Sequence, residues 1–251
     1  MKIIFIITLI ITFIMNAFSQ DTLFLKAEFI KGSDTLRYRY LLPEKYDANL
    51  KYPLLLFLHG SGERGYDNEK QLTHCSLYFA DSAIRKAYPC IILVPQCPPK
   101  KKWVEVNWKK ESHTMPIKPS FAMDLLLKLM EEFTDKNSVD ISRMYVTGLS
   151  MGGFGVWDII ARKPDWFAAA VPVCGGADEK TAKKIIDIPV WAFHGAKDKV
   201  VKPLRSRNIT QALIKAGGKP KYTEYPNIQH GSWKVAYKED ELFKWIFTQK
   251  K

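Results

Sequence analysis

A serine flanked by glycines stands at the centre of Gly148-Leu149-Ser150-Met151-Gly152. A β-like run at 144–147 precedes it, and a helical pattern opening near Gly153 follows. The spacing G-x-S-x-G between strand and helix is that of a nucleophile elbow. So sharp a turn brings neighbouring backbone against any Cβ at the two glycine positions and forces the serine into strained dihedrals. Its hydroxyl then stands exposed at a helix N-terminus, where the backbone N–H of Met151 can face a developing oxyanion. The chemistry such a residue performs is acyl transfer, by attack of Ser150 on a carbonyl carbon.

A serine nucleophile needs a base, and the base an orienting acid, in the chain order serine, acid, histidine. Of the five histidines only His194 and His230 lie beyond Ser150. His230 stands in the loop 227–233, after a β-like run at 221–225 and before a helix. Imidazole changes charge at about pH 6.5, so it can take the serine proton and later return it near neutrality. Asp198 closes Phe193-His194-Gly195-Ala196-Lys197-Asp198 on a loop leaving a strand and is the expected orienting acid. Asp187 precedes that strand, at the wrong end of the sheet. His194 and His59 read as structural, and His74 and His113 as surface or loop residues. A second oxyanion donor is expected from Leu58-His59-Gly60-Ser61-Gly62-Glu63-Arg64-Gly65, whose glycines allow close backbone approach. The N–H of Ser61 or Gly62 would join that of Met151.

The elements that must position these groups are short apolar runs at 54–58, 91–94, 144–147, 168–173 and 190–193, bounded by Gly, Pro or charge as buried parallel strands are. Helical patterns lie between them at 120–133, 151–162 and 203–216, the first with Phe121, Leu125, Leu129 and Phe133 on one face. Runs at 23–30 and 36–42, separated by Lys31-Gly32-Ser33-Asp34, predict an opening hairpin. This alternation implies an α/β fold with a mostly parallel central sheet and helices on both faces. Reactive groups in such sheets gather beyond the carboxyl ends of the strands. No repeat or linker divides 20–251, which reads as one catalytic domain.

A chain of 251 residues, 47% hydrophobic, can bury a full core. Residues 1–19 combine Lys2, an apolar run at 3–14 broken by Thr8 and Thr12, and the small-residue pattern Ala17-Phe18-Ser19. They read as a signal peptide cut before Gln20, the apolar run being shorter than the roughly 20 residues of a spanning helix. The expected product is secreted or periplasmic, with no stable membrane anchor. The formal charge of +12 loses only Lys2 on cleavage. The lysines are scattered, and the cluster Lys100-Lys101-Lys102 has no nucleic-acid-binding signature around it, so nucleic acid is not an expected partner. Four cysteines, Cys75, Cys90, Cys97 and Cys174, could form disulfides in an exported chain. The strand between Cys90 and Cys97 holds those two apart, so Cys75 is expected to pair with one of them. Their spacing fits no metal site, and acyl transfer by serine asks for no metal or organic cofactor. Oligomeric state has no signature in the sequence.

Four segments in order, 58–65, Pro95-Gln96-Cys97-Pro98, 148–153 and 193–198, resemble bacterial α/β-hydrolases of the dienelactone hydrolase and prolyl oligopeptidase superfamily. Within it the chain resembles secreted carboxylesterases, some of the predicted-peptidase type, with carbohydrate esterases of the feruloyl and acetyl-xylan type nearby. The likeness runs from about Leu23 to Phe247 and implies an α/β-hydrolase fold, ester hydrolysis and the triad Ser150, Asp198 and His230. Dienelactone hydrolases proper use cysteine where this elbow carries Ser150, so their lactone chemistry is not implied. Nor is there room for the propeller of a prolyl oligopeptidase.

The loop 98–115 should lie at the catalytic face, where Trp103 and Trp108 either stack on a sugar or aromatic acyl group or anchor the loop. Glu63 either binds substrate or orders its loop by ion pairing. Only a short stretch separates the strands at 168–173 and 190–193, too little for a bulky helical lid, and an open site suits large substrates. The expected function is a secreted serine carboxylic-ester hydrolase acting on small-molecule or polysaccharide esters, feruloyl or acetyl among them. The alternatives are a serine peptidase on short peptides and a non-catalytic carbohydrate-binding protein that has kept the fold.

Overall fold

Alternate residues of the central strands enter two separate cores. Leu54, Leu56 and Leu58 pack with one set of helices, while Leu55 and Phe57 point to the opposite set. The period of two is what a strand buried on both faces imposes. Each such side chain contributes about 1.5–3 kcal/mol of hydrophobic stabilisation. The structure, a computed structural model, describes residues 21–251, and the expected signal peptide at 1–19 lies outside the described residues.

The strands are β1 (Leu25–Lys31), β2 (Asp34–Leu41), β3 (Tyr52–Leu58), β4 (Ile91–Pro95), β5 (Val139–Leu149), β6 (Ala169–Val173), β7 (Trp191–Gly195) and β8 (Lys221–Tyr225). They form one sheet in the order β1-β2-β4-β3-β5-β6-β7-β8. The hairpin β1–β2 turns at Gly32, at φ 60°, and joins the sheet antiparallel through β4. All later pairings are parallel. The helices are α1 (Ser76–Phe79), α2 (Ser82–Ala87), α3 (Phe121–Lys136), α4 (Met151–Arg162), α5 (Leu204–Lys215), α6 (Trp233–Ala236) and α7 (Asp240–Phe247). Residues of α3, α4 and α5 cover one face, and those of α1, α6 and α7 the other. Helix α3 starts where the Ser120 hydroxyl accepts the N–H of Met123 at 3.0 Å, an N-cap that satisfies one orphan donor.

Strand β5 begins at Val139, five residues before the expected run, because Asp140, Ser142 and Arg143 are partly buried and Ile141 is exposed, so the apolar pattern is broken there. Helix α4 spans Met151–Arg162, as the helical pattern at 151–162 predicts, and so begins directly at the residue after Ser150. The disulfide expectation is wrong: all four cysteines are buried free thiols. Cys75 and Cys90 pack in one core and Cys97 in the other, so the sheet stands between Cys75 and Cys97. Cys75 and Cys90 share a core without bonding.

Candidate active site

Strand β5 delivers Ser150 at φ 55° and ψ −115°, a region L-residues rarely occupy, and α4 begins at the next residue. The glycines around it are needed for space. A Cβ on Gly152 would lie 1.8 Å from the Leu58 carbonyl oxygen, and one on Gly148 would lie 2.6 Å from the same atom. The Ser150 N–H donates to the Val173 carbonyl at 2.9 Å, so both neighbouring strands grip the turn.

The Ser150 Oγ lies 2.9 Å from His230 Nε2, and His230 Nδ1 lies 2.7 Å from Asp198 Oδ2. The carboxylate accepts the Nδ1–H, which leaves Nε2 free to accept the serine hydroxyl proton. Asp198 is buried, and its Oδ1 accepts the N–H groups of Val200 and Val201 at 2.8 and 2.9 Å. Burial works to raise its pKa, but hydrogen bonds from His194, His230 and the Val201 N–H outweigh it and hold the carboxyl well below the usual range. The three residues expected from the sequence are thus brought together in one hydrogen-bonded line.

Met151, as the first residue of α4, has an N–H with no intrahelical acceptor. Ser61 and Gly62 lie in a short 3-10 helix, Ser61–Glu63, whose preceding Gly60 abuts the elbow: a Cβ there would lie 2.9 Å from Leu149 Cδ1. Within the protein, close packing requires glycine at Gly60 and Gly65, where a Cβ on Gly65 would lie 2.8 Å from Gln96 Nε2, whereas a Cβ on Gly62 meets nothing within 4 Å. Gln96 fastens this loop, accepting the Asn68 N–H at 2.8 Å and donating to the Glu63 carbonyl at 3.1 Å and Asp67 at 2.9 Å. The Arg64 guanidinium holds the Ser61 carbonyl at 2.8 Å. The sequence offered Gln96 only within a motif, and its role was not read there.

His59 is structural, as expected. Its Nε2 accepts the Cys97 N–H at 2.9 Å, its Nδ1 faces the Gly60 carbonyl at 2.6 Å, and burial lowers its pKa to about 4. His194 is wholly buried against Ser206 and Val201. His74 and His113 lie in loops, one of the two expected settings, and are partly buried: His74 packs on Trp233, and His113 lies against Phe154 and the Arg205 guanidinium. Trp233, which the sequence did not single out, meets the His230 ring edge-on at 5.5 Å and limits how that ring can turn.

Trp103 is a correction. It is fully buried, donates its Nε1–H to the His59 carbonyl at 3.1 Å and packs against Gly155, so it anchors the loop and cannot stack on substrate. Trp108 is partly buried and borders an open hollow with Lys102, Glu105 and Lys109. The Glu63 carboxylate folds back beneath Gly60, 3.9 Å from His74 and 4.0 Å from His59, with one oxygen buried and unpartnered. Cys174, Asp198 and His230 offer ligand atoms within 4.8 Å of one another, a group that among the described residues could hold a metal ion. Burial and the Asp198 charge keep the Cys174 thiol protonated, and the other two are committed to their mutual hydrogen bond, so an ion would have to displace that pair.

A profile of the dienelactone hydrolase family matches residues 108–240, a span that contains Ser150, Asp198 and His230. The chain belongs to this family. Among solved structures of the α/β-hydrolase fold, it is similar to a thermostable esterase, with 36% identity and a TM-score of 0.84 over 92% of this chain and 64% of that one. A ferulic acid esterase from Anaeromyces mucronatus, solved with ferulic acid, matches over 90% of each chain with a TM-score of 0.61 and 17% identity, a likeness of fold. "Putative esterase NocK" of Nocardia uniformis subsp. tsuyamanensis is 27% identical over 61% of this chain and 41% of its own length. The chain thus spans about two fifths of that curated relative.

Proposed function

We propose that the protein is an exported serine ester hydrolase acting through Ser150, His230 and Asp198. The line Ser150 Oγ, His230 Nε2, His230 Nδ1, Asp198 Oδ2, on a strained elbow at a helix N-terminus, carries this reading. His230 takes the hydroxyl proton as Ser150 attacks the ester carbonyl, and the N–H of Met151, with that of Ser61 or Gly62, receives the oxyanion. His230 then protonates the leaving alkoxide, an acyl-enzyme remains on Ser150, and water activated by the same ring releases the acid. Asp198 holds the tautomer and stabilises the imidazolium between steps. The segment joining β6 to β7 carries only the 3-10 helix Glu179–Lys184, which favours an open site able to receive an ester on a polymer. Feruloyl or acetyl esters of polysaccharides are the proposed substrates, with the ferulic acid esterase fold in support.

The test is release of ferulate, acetate and p-nitrophenol from matched esters, beside a peptide-amide panel, by the protein and its Ser150→Ala variant. Ester turnover falling about 10⁴-fold or more in the variant is expected. Amide turnover without ester turnover would move the assignment to a peptidase. Activity surviving the substitution, or no labelling of Ser150 by a fluorophosphonate, would overturn the proposed nucleophile.

A further inference from the structure

The Asp198 carboxylate has a second imidazole at its side. Its Oδ2 accepts from His230 at 2.7 Å and lies 3.3 Å from His194 Nε2. The same Nε2 is 2.9 Å from the Val201 carbonyl oxygen, and His194 Nδ1 is 2.8 Å from the Ser206 hydroxyl. Both oxygens facing Nε2 are acceptors and neither can supply a proton, so Nε2 must carry one. The opposite tautomer would set a bare ring nitrogen against a carboxylate and a carbonyl at a wholly buried position, lone pair facing lone pair, and leave the Val201 carbonyl without that donor. The hydroxyl at Nδ1 suits either state, because Ser206 can donate to the ring or to the Gly175 carbonyl at 3.1 Å and accept from the ring.

We infer that His194 is fixed as an Nε2–H donor and serves as a positioning residue for the triad, dividing Asp198 Oδ2 between two imidazoles. The inference rests on the proposed triad chemistry. With the Val200 and Val201 N–H groups on Oδ1, the carboxylate is held by donors on both oxygens and cannot rotate away from His230. The shared oxygen also offers His230 less negative charge than an unshared one would. Removing the His194 donor concentrates that charge on His230 and favours its imidazolium. Because His230 must be neutral to act as base, the acid limb of kcat/KM then moves to higher pH. Other groups face the pair without titrating near neutrality. Cys174, at the end of β6, is held as a thiol by burial and the Asp198 charge. Glu224, opposite His194 on β8, is held ionised chiefly by Arg207. The hydroxyls of Ser150 and Ser206 complete the set.

His59 supplies an internal contrast, since the Cys97 N–H on its Nε2 fixes the proton at Nδ1. Nitrogen-15 spectra of protein labelled in the imidazole rings, with the His74, His113 and His230 signals removed in turn by glutamine substitution, isolate the two wholly buried rings. One ring protonated at Nδ1 and one at Nε2 at neutral pH is the expected result. Two rings protonated at Nδ1 alone would overturn the inference, and this measurement requires neither turnover nor a variant at His194. The second readout is the kcat/KM profile of His194→Gln and His194→Phe. Glutamine keeps an N–H donor near the Nε2 position and leaves the acid limb in place, whereas phenylalanine raises it by about one pH unit. A merely structural His194 would lower stability in both variants without moving the limb, and an unmoved limb in folded His194→Phe sinks the proposal. A native protein that turned over no ester would defeat the proposed function and still leave the ring tautomers to be read.

Discussion

Burial lowers the pKa of His59 to about 4, and Arg64 adds to the effect while the Gly60 carbonyl opposes it. His113 is lowered to about 4 by burial and by Arg205, with Asp178 opposing. The unfolded chain holds these protons up to about pH 6.5, so between that value and about pH 4 it binds more protons than the native state, and stability falls as the pH drops. Urea unfolding at pH 7.5 and pH 4.5 should differ by about 2.5 kcal/mol on account of His59 alone, a difference that shrinks by that amount in His59→Asn. An equal pH dependence in the variant would show that the ring is charged in the fold. The aspartates act in a lower window. Asp67 and Asp198 have depressed pKa values, held down by their hydrogen-bond donors against burial, so their contribution is full above about pH 4 and is lost as the pH falls further.

The elbow and the oxyanion loop differ in how much room their glycines have. Gly152→Ala drives a methyl into the Leu58 carbonyl, whereas Gly62→Ala enters open space. The first should lose about 3 kcal/mol or more of stability and all turnover, while the second should keep the wild-type Tm; calorimetry of both variants checks this. The contrast also explains what was legible in the sequence. Gly148, Ser150 and Gly152 were readable because a sharp strand-to-helix turn tolerates so few residue types, and the parallel strands because burial on both faces writes an unbroken apolar run. The polar start of β5 and helices as short as α1 and α2 leave no periodicity to detect. Asp198 and His230 followed from chain order, but the contact of His194 with Asp198 did not, although their spacing of four residues was in view. Trp103 misled because a tryptophan in a loop at the catalytic face has the same sequence whether it points out or in. Its direction is set by the His59 carbonyl, a partner distant in the chain.

Across the whole molecule, stability owes nothing to covalent cross-links among the described residues, for the four thiols are buried and unbonded. Burial raises the pKa of Cys90 and Cys97 to about 12, and those of Cys75 and Cys174 also upward, so none offers a thiolate near neutrality. The native protein should therefore resist a thiol reagent, react at all four cysteines once unfolded, and keep its Tm in dithiothreitol; rapid labelling of the folded state would contradict this.

The sheet order places the parts of the proposed triad at unequal depths. Ser150 extends from β5, which has β3 on one side and β6 on the other, whereas His230 follows β8, the last strand, whose residues are exposed or half-buried. Strands at a rim open at lower free energy than strands at the middle. Fraying of β8 would carry off the proposed base while the proposed nucleophile stayed seated and inert. Catalytic lifetime in a hot or denaturing medium is thereby tied to the hold of one outermost strand, and the molecule can fall silent while most of it is still folded.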